Sequence, residues 1–185
     1  DAFKIIFMGN VGQAQGLDIL PKAAALLMKS GVRVRFVIVG DGREKENLLA
    51  DVYNRGVEAY FTFIDRRPAE EIPANLCSRQ AAFLSFMDNA LFANTIPAKL
   101  QSYMACGMPL IAAATGETKK IIEQAECGMG SEIGNAENLA ETIVAFMNRS
   151  DLAKMGENAR KYCVEHFNKR NLMDEMDKYL LGGGK

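Results

Sequence analysis

The chain has 185 residues, 49% of them hydrophobic and 24% charged, which suits one core of single-domain size and excludes a disordered or low-complexity class. Its 22 basic and 23 acidic side chains leave a net charge of −1, so no overall field gathers nucleic acid or anionic lipid, and any anion site must be local. Cys77, Cys106, Cys127 and Cys163 never form a C-x-x-C pair and His166 is the single histidine, so free thiols in a reducing compartment are expected rather than a zinc set. No segment approaches the roughly 18 consecutive apolar residues of a membrane span, no charged-then-apolar leader opens the chain, and a cytoplasmic location is expected.

The chain opens directly in a strand-like run, Phe3 to Phe7, without an initiator methionine, as a domain excised from a longer protein would. Further apolar runs follow at Val32 to Val39, Tyr60 to Ile64, Ala81 to Phe86 and Pro109 to Ala113, with a weaker one at Met129 to Ile133. Helical patterns separate them at Leu17 to Ser30, Arg43 to Arg55, Pro68 to Ser78, Pro97 to Cys106 and Thr118 to Ala125. Alternation of this kind is the signature of repeated βα units, and near-continuous apolar strands are those of a buried parallel sheet. After Asn135 only helices are expected, at Ala136 to Asn148, Asp151 to Phe167 and Lys169 to Leu181, with Asn135, Ser150 and Asn168 as N-caps. The fold expected is a doubly wound, mainly parallel α/β sheet of about six strands with C-terminal helices, in one domain over residues 1–181 and a frayed tail at 182–185.

Such sheets bind ligands beyond the carboxyl ends of their strands, so the post-strand loops are the candidate sites. The first loop, Gly9-Asn10-Val11-Gly12-Gln13-Ala14-Gln15-Gly16, is small enough for backbone N–H groups to approach a phosphate at a helix start. It lacks the G-x-G-x-x-G spacing and the G-K-[ST] ending, and a plain glycine-lined turn fits it equally. In Gly40-Asp41-Gly42 the carboxylate either meets ribose hydroxyls or caps the next helix, with capping favoured.

The richest stretch is Asn94-Thr95-Ile96-Pro97-Ala98-Lys99 through Ser102 to Pro109, where a proline and Gly107 bracket a short helix. Lys99 would then sit in the first turn, its charge adding to the positive end of the helix dipole at a cost of a few tenths of a kcal/mol. A nearby anion relieves that conflict; a lysine head extended into water is the plainer alternative. His166 falls outside the post-strand loops and reads as a structural or surface residue, and the ten methionines read as core filling.

Taken in order, Phe7 to Leu17, Val37 to Gly42, Pro97-Ala98-Lys99, Tyr103 to Pro109 and Ala159-Arg160-Lys161-Tyr162 resemble the C-terminal domain of the retaining glycosyltransferases of family 4, one half of a GT-B fold. The resemblance implies that this half binds a nucleoside diphosphate sugar, with no metal or other cofactor. It places Gly9, Asn10, Gly12, Gln13, Gln15 and Gly16 toward the donor phosphates, and Gly40, Asp41 and Gly42 along the nucleotide. Arg66 and Arg67 fall near the base, Asn94, Thr95 and Ile96 near the transferred sugar, Ser102 near the ribose, and Pro97 among the other donor-binding residues. Lys99 and Asn94 are the expected catalytic positions.

Where the family usually carries an arginine and a lysine in the first loop, this chain has Asn10 and Gln15; in place of a pair of glutamates it has Asn94 and Ser102. The loop and the Pro-x-Lys start resemble a WbuB-like subgroup that builds bacterial surface polysaccharides, capsule and lipopolysaccharide among them. The expected partners are a UDP-linked sugar, a saccharide or lipid-linked acceptor, and an N-terminal acceptor domain that would carry any contact with the inner face of the membrane; nucleic acid is not among them. Alone, the chain is expected to be inactive. The alternatives are a degenerate domain that binds a nucleotide or partner without catalysis, and a GT-B-like nucleotide-sugar epimerase.

Overall fold

The computed structural model describes residues 2–71, 76, 80–89 and 94–182. Its six strands are β1 (Phe3–Met8), β2 (Val34–Val39), β3 (Phe61–Ile64), β4 (Ala81–Ser85), β5 (Leu110–Ala113) and β6 (Gly128–Ser131). They form one all-parallel sheet in the order β3-β2-β1-β4-β5-β6, the doubly wound order whose direction of winding reverses between β1 and β4. The helices among the described residues are α1 (Ile19–Lys29), α2 (Lys45–Asn54), α3 (Ala98–Ala105), α4 (Gly116–Gln124), α5 (Ala136–Met147), α6 (Leu152–His166) and α7 (Lys169–Gly182). Of the helix expected over Pro68 to Ser78, most lies outside the described residues; Ala69–Glu71 forms a 3-10 turn.

Both faces of the sheet are covered, which is why its strands read as continuous apolar runs. Ile5, Phe7, Phe36, Ile38 and Phe83 point to one side, where α1 and α5 supply Leu20, Ala24, Leu27, Leu139, Ile143 and Phe146. Ile6, Val37, Val39, Ala82 and Leu84 point to the other, against Leu100, Tyr103 and Met104 of α3 and Ile121 and Ile122 of α4. This is the two-residue alternation of a strand, and each fully buried Leu, Ile or Phe contributes about 1.5–3 kcal/mol.

The C-terminal helices do not all reach the sheet. α5 packs on β5, β6 and α1, whereas α6 packs on α3 and α7 on α6. Arg160 of α6 donates to the Ala105 carbonyl at the end of α3 (2.6 Å), so the outer helix holds the inner one in place. Asn135 caps α5 by accepting from the Asn138 amide (2.9 Å), and the Asn168 side chain accepts from Arg170 at the start of α7 (2.9 Å). Ser150 is not a cap: the residue before α6 is Asp151, whose carboxylate is instead paired with Arg149 (2.6 Å).

Candidate functional site

β1 is paired with β4 over Ile5 and Ile6 only, because the two strands diverge where the winding reverses. Its amides alternate in direction. Phe3 and Gly9 donate toward β2, to the carbonyls of Arg33 and Val39, while Lys4 and Met8 face the β4 side beyond the reach of the ladder. Side chains satisfy them: Gln80 Oε1 accepts from Lys4 N, and Tyr103 Oη accepts from Met8 N, both at 2.8 Å. Tyr103 is buried, and burial raises its phenol's pKa, so the hydroxyl remains protonated as it accepts from Met8. A side chain of α3 thereby closes the fork in the sheet and sets the start of the first glycine loop.

The rest of that loop is tied to the exit of β4. Ser85 Oγ donates to the Gln15 carbonyl (2.5 Å) and Met87 N donates to the Ala14 carbonyl (3.0 Å). The next loop locks on from the other side, with Val11 N donating to the Asp41 carbonyl (2.8 Å) and Glu44 N to the Val11 carbonyl (3.0 Å). Gly40 lies so close that a Cβ there would overlap the Gly9 carbonyl oxygen, and its φ of 143° is outside what side-chain-bearing residues adopt. The Asp41 carboxylate accepts from Gly42 N (2.8 Å), short of the helix itself: α2 begins at Lys45 and has no side-chain cap, so the expected capping role for Asp41 is corrected.

These loops border a cleft of about 470 Å³ at the carboxyl ends of β1, β2 and β3, roofed by the first turns of α3. Gly9, Asn10, Gly40, Asp41, Arg66, Arg67, Lys99 and Ser102 line it together with Met8, Val39, Ala98 and Tyr103. The described lining residues include three basic side chains and one carboxylate, Arg67 also lies 3.9 Å from Glu71, and the N-terminus of α3 adds partial positive charge. The arrangement accommodates an anion.

Lys99 is not extended into water. Its Nζ donates to Gln15 Oε1 (2.9 Å), lies 3.6 Å from the centre of the Phe7 ring, and lies against Gly9. Burial lowers its pKa to about 7. Gln15 therefore acts through the lysine. Ser102 lines the cleft but its hydroxyl donates to the Ala98 carbonyl one turn back (3.0 Å).

Other expected residues lie elsewhere. Gly12, Gln13 and Gly16 line a second hollow of about 300 Å³ on the far side of the loop, with Asp18, Glu44 and Asn47, because the turn over Gln13–Gln15 and the left-handed Gly16 carry the chain away from the cleft. Gly42 packs against Val11 and Asn10. Asn94, Thr95 and Ile96 are exposed ahead of α3, Pro97 is its N-cap, and none of the four lines the cleft; Thr118 Oγ1 donates to the Thr95 carbonyl (3.5 Å). His166 is exposed and stacks on Tyr162, as a surface residue does. Tyr103, Ser85 and Phe7 were missed as site residues; the one available signal was Tyr103 standing one helical turn after Lys99, on the same face.

Fold and cleft together define a doubly wound α/β domain with an anion-accommodating site at the carboxyl edge of its sheet. The chain belongs to the family Glycosyl transferases group 1, whose model matches residues 1–162. It is 23% identical over 180 residues to the putative colanic acid biosynthesis glycosyltransferase WcaL of Escherichia coli (strain K12), covering 96% of this chain and 44% of that protein. Its fold matches Anabaena HepE, solved with UDP and glucose, at a TM-score of 0.81 and 20% identity over 98% of this chain and 48% of that one. It also matches S. aureus TarM, solved as a mutant with fondaparinux, alpha-GlcNAc-glycerol and UDP, at 0.78 and 18% identity over 95% and 34%. The chain thus spans less than half the length of these relatives.

Proposed function

We propose that this chain is the donor-binding half of a retaining glycosyltransferase, of the WbuB-like type within family 4, which takes a sugar from a UDP-linked donor without a metal or other cofactor. The acceptor is a saccharide or lipid-linked glycan in surface polysaccharide synthesis on the cytoplasmic side of the membrane, bound by a second, N-terminal domain. The observation that carries the reading is the cleft beside the start of α3 that Lys99, Arg66 and Arg67 line. Lys99, the α3 amides and the backbone of the Gly9 loop would stabilise the departing diphosphate, an electrostatic contribution made where charge develops. UDP in the HepE and TarM structures and the colanic acid role printed for WcaL support the donor and the pathway class. Without the acceptor half, the chain would bind donor and transfer nothing.

The neutral side chains at Asn10 and Gln15 do not leave the cleft without cations. Titration calorimetry against UDP, UDP-sugars and GDP-sugars tests the proposal: UDP compounds should bind with Kd values in the micromolar to millimolar range. Failure of every nucleotide to bind would favour a partner-binding domain without catalysis.

A further inference from the structure

The side chain of Lys99 does not stay on its own side of the sheet. α3 packs on the face that carries Ile6, Val37 and Leu84, whereas Phe7 points to the opposite face, toward α1 and α5. The lysine Nζ nevertheless lies 3.6 Å from the centre of the Phe7 ring and 2.9 Å from Gln15 Oε1. The gap that admits it is the fork in the sheet, where β1 and β4 have parted after pairing over Ile5 and Ile6 only. Gly9 leaves the room, since a Cβ there would stand 3.0 Å from Lys99 Cε and 3.2 Å from Nζ.

Both walls of this position are fixed without help from the lysine. Phe7 is 1% exposed in the core of the sheet, and Gln15 is held through its carbonyl by Ser85 Oγ at the end of β4. Both walls also suit a cation: an amide oxygen accepts from an ammonium N–H, and the face of an aromatic ring attracts positive charge, more strongly where water is excluded. An ammonium carries three N–H groups, so the oxygen and the ring face leave a third for the cleft that Lys99 lines. A lysine that is free in water loses rotamer freedom when it grips a ligand; one already held in place has met that cost on folding.

We propose that Phe7 and Gln15 are positioning residues for donor binding: they form a seat, one wall from each side of the fork, that holds the Lys99 ammonium at the cleft before a diphosphate arrives. Neither has to touch the donor. The inference rests on the reading that the cleft takes a nucleoside diphosphate. It goes further in making a core aromatic ring and a loop amide determinants of donor affinity, both acting through a single lysine.

UDP titrations followed by NMR at pH 6, below the pKa of the lysine, test the seat and reach weak affinities. Phe7→Leu keeps an apolar filling and removes the ring; Gln15→Ala removes the amide and leaves the carbonyl bonded to Ser85. Phe7→Leu should weaken UDP binding by about three- to thirtyfold and Gln15→Ala by about two- to tenfold. In a Lys99→Met background neither substitution should change affinity by more than about twofold, because the group they position is gone. A second measurement needs no ligand: the ε-methylene protons of Lys99, assigned with Lys99→Met, should resonate upfield of the other lysines in wild type, shielded by the Phe7 ring, and return to the ordinary position in Phe7→Leu. Gln15→Ala and the wild-type resonance decide the matter even where Phe7→Leu does not fold. Equal losses with and without Lys99, no loss from Gln15→Ala, or an ordinary ε-methylene position in wild type would overturn the seat alone. Absence of UDP binding to wild type would overturn the nucleotide reading and the role of the seat with it.

Discussion

Removing one oxygen, by Tyr103→Phe, isolates the device that joins helix α3 to the sheet. The ring remains to fill its place in the core beside Ile6, Val39 and Leu84, so no cavity opens. What is lost is the acceptor for Met8 N at 2.8 Å, at a point where β4 has already diverged and no other strand supplies a carbonyl. A buried donor left unpaired costs about 1–3 kcal/mol, and for a domain of this size each kcal/mol lowers Tm by roughly 2–4 °C. Thermal and urea unfolding of wild type and Tyr103→Phe should therefore show a drop of about 2–12 °C, with an unchanged urea slope, since the surface exposed on unfolding is the same. UDP affinity should also weaken, because Met8 leads directly into Gly9 and the nitrogen of Lys99 lies on Gly9. A variant that melts within about 1 °C of wild type would show that the fork is closed without Tyr103.

Lys99→Ala should weaken UDP binding by about 1.5–3 kcal/mol in calorimetry, the usual range for a hydrogen bond to a charged group. Gly40→Ala should destabilise by about 2–4 kcal/mol in urea unfolding, because its Cβ overlaps the Gly9 carbonyl; Gly31→Ala, with φ of 70° and open space around it, should cost only about 1–2 kcal/mol. Lys99 is more readily protonated in the unfolded chain than in the fold, so between pH 7 and 10 its contribution to stability rises with pH. Lys99→Met should remove that slope from the pH dependence of urea midpoints and should be more stable than wild type at pH 6.

Much of this architecture is legible in the sequence because burial on both faces makes each strand a run of apolar residues. Ile5-Ile6-Phe7 and Phe36-Val37-Ile38-Val39 admit little else, and apart from the helix expected over Pro68 to Ser78 the predicted elements fall within a few residues of the observed ones. Long-range partnerships leave no such trace. Lys99 reads equally as an anion ligand or a solvated surface residue until Phe7 and Gln15, the latter 84 residues away, are seen to enclose it. The first loop reads as one continuous cradle, yet the turn at Gln13–Gln15 divides it between two hollows, a consequence of backbone direction that composition does not encode. Asp41 reads as a cap because its residue type and place before a helix fit one; the helix begins a few residues later than the pattern implies. The departures from the family pattern at Gln15 and Ser102 become intelligible only with coordinates, since each side chain is engaged within the fold, one by Lys99 and one by Ala98.

The proposed nucleoside diphosphate site is the cleft between the Gly9 loop, the Gly40 loop and the start of α3, with Lys99 as its cationic contact. A crystal structure of the chain grown or soaked with UDP tests it most directly. The diphosphate should sit at the N-terminus of α3, with a phosphate oxygen within about 3 Å of Lys99 Nζ. UDP bound in the hollow beside Gly12 and Glu44, or in the cleft with Lys99 still directed only at Gln15 and Phe7, would contradict it.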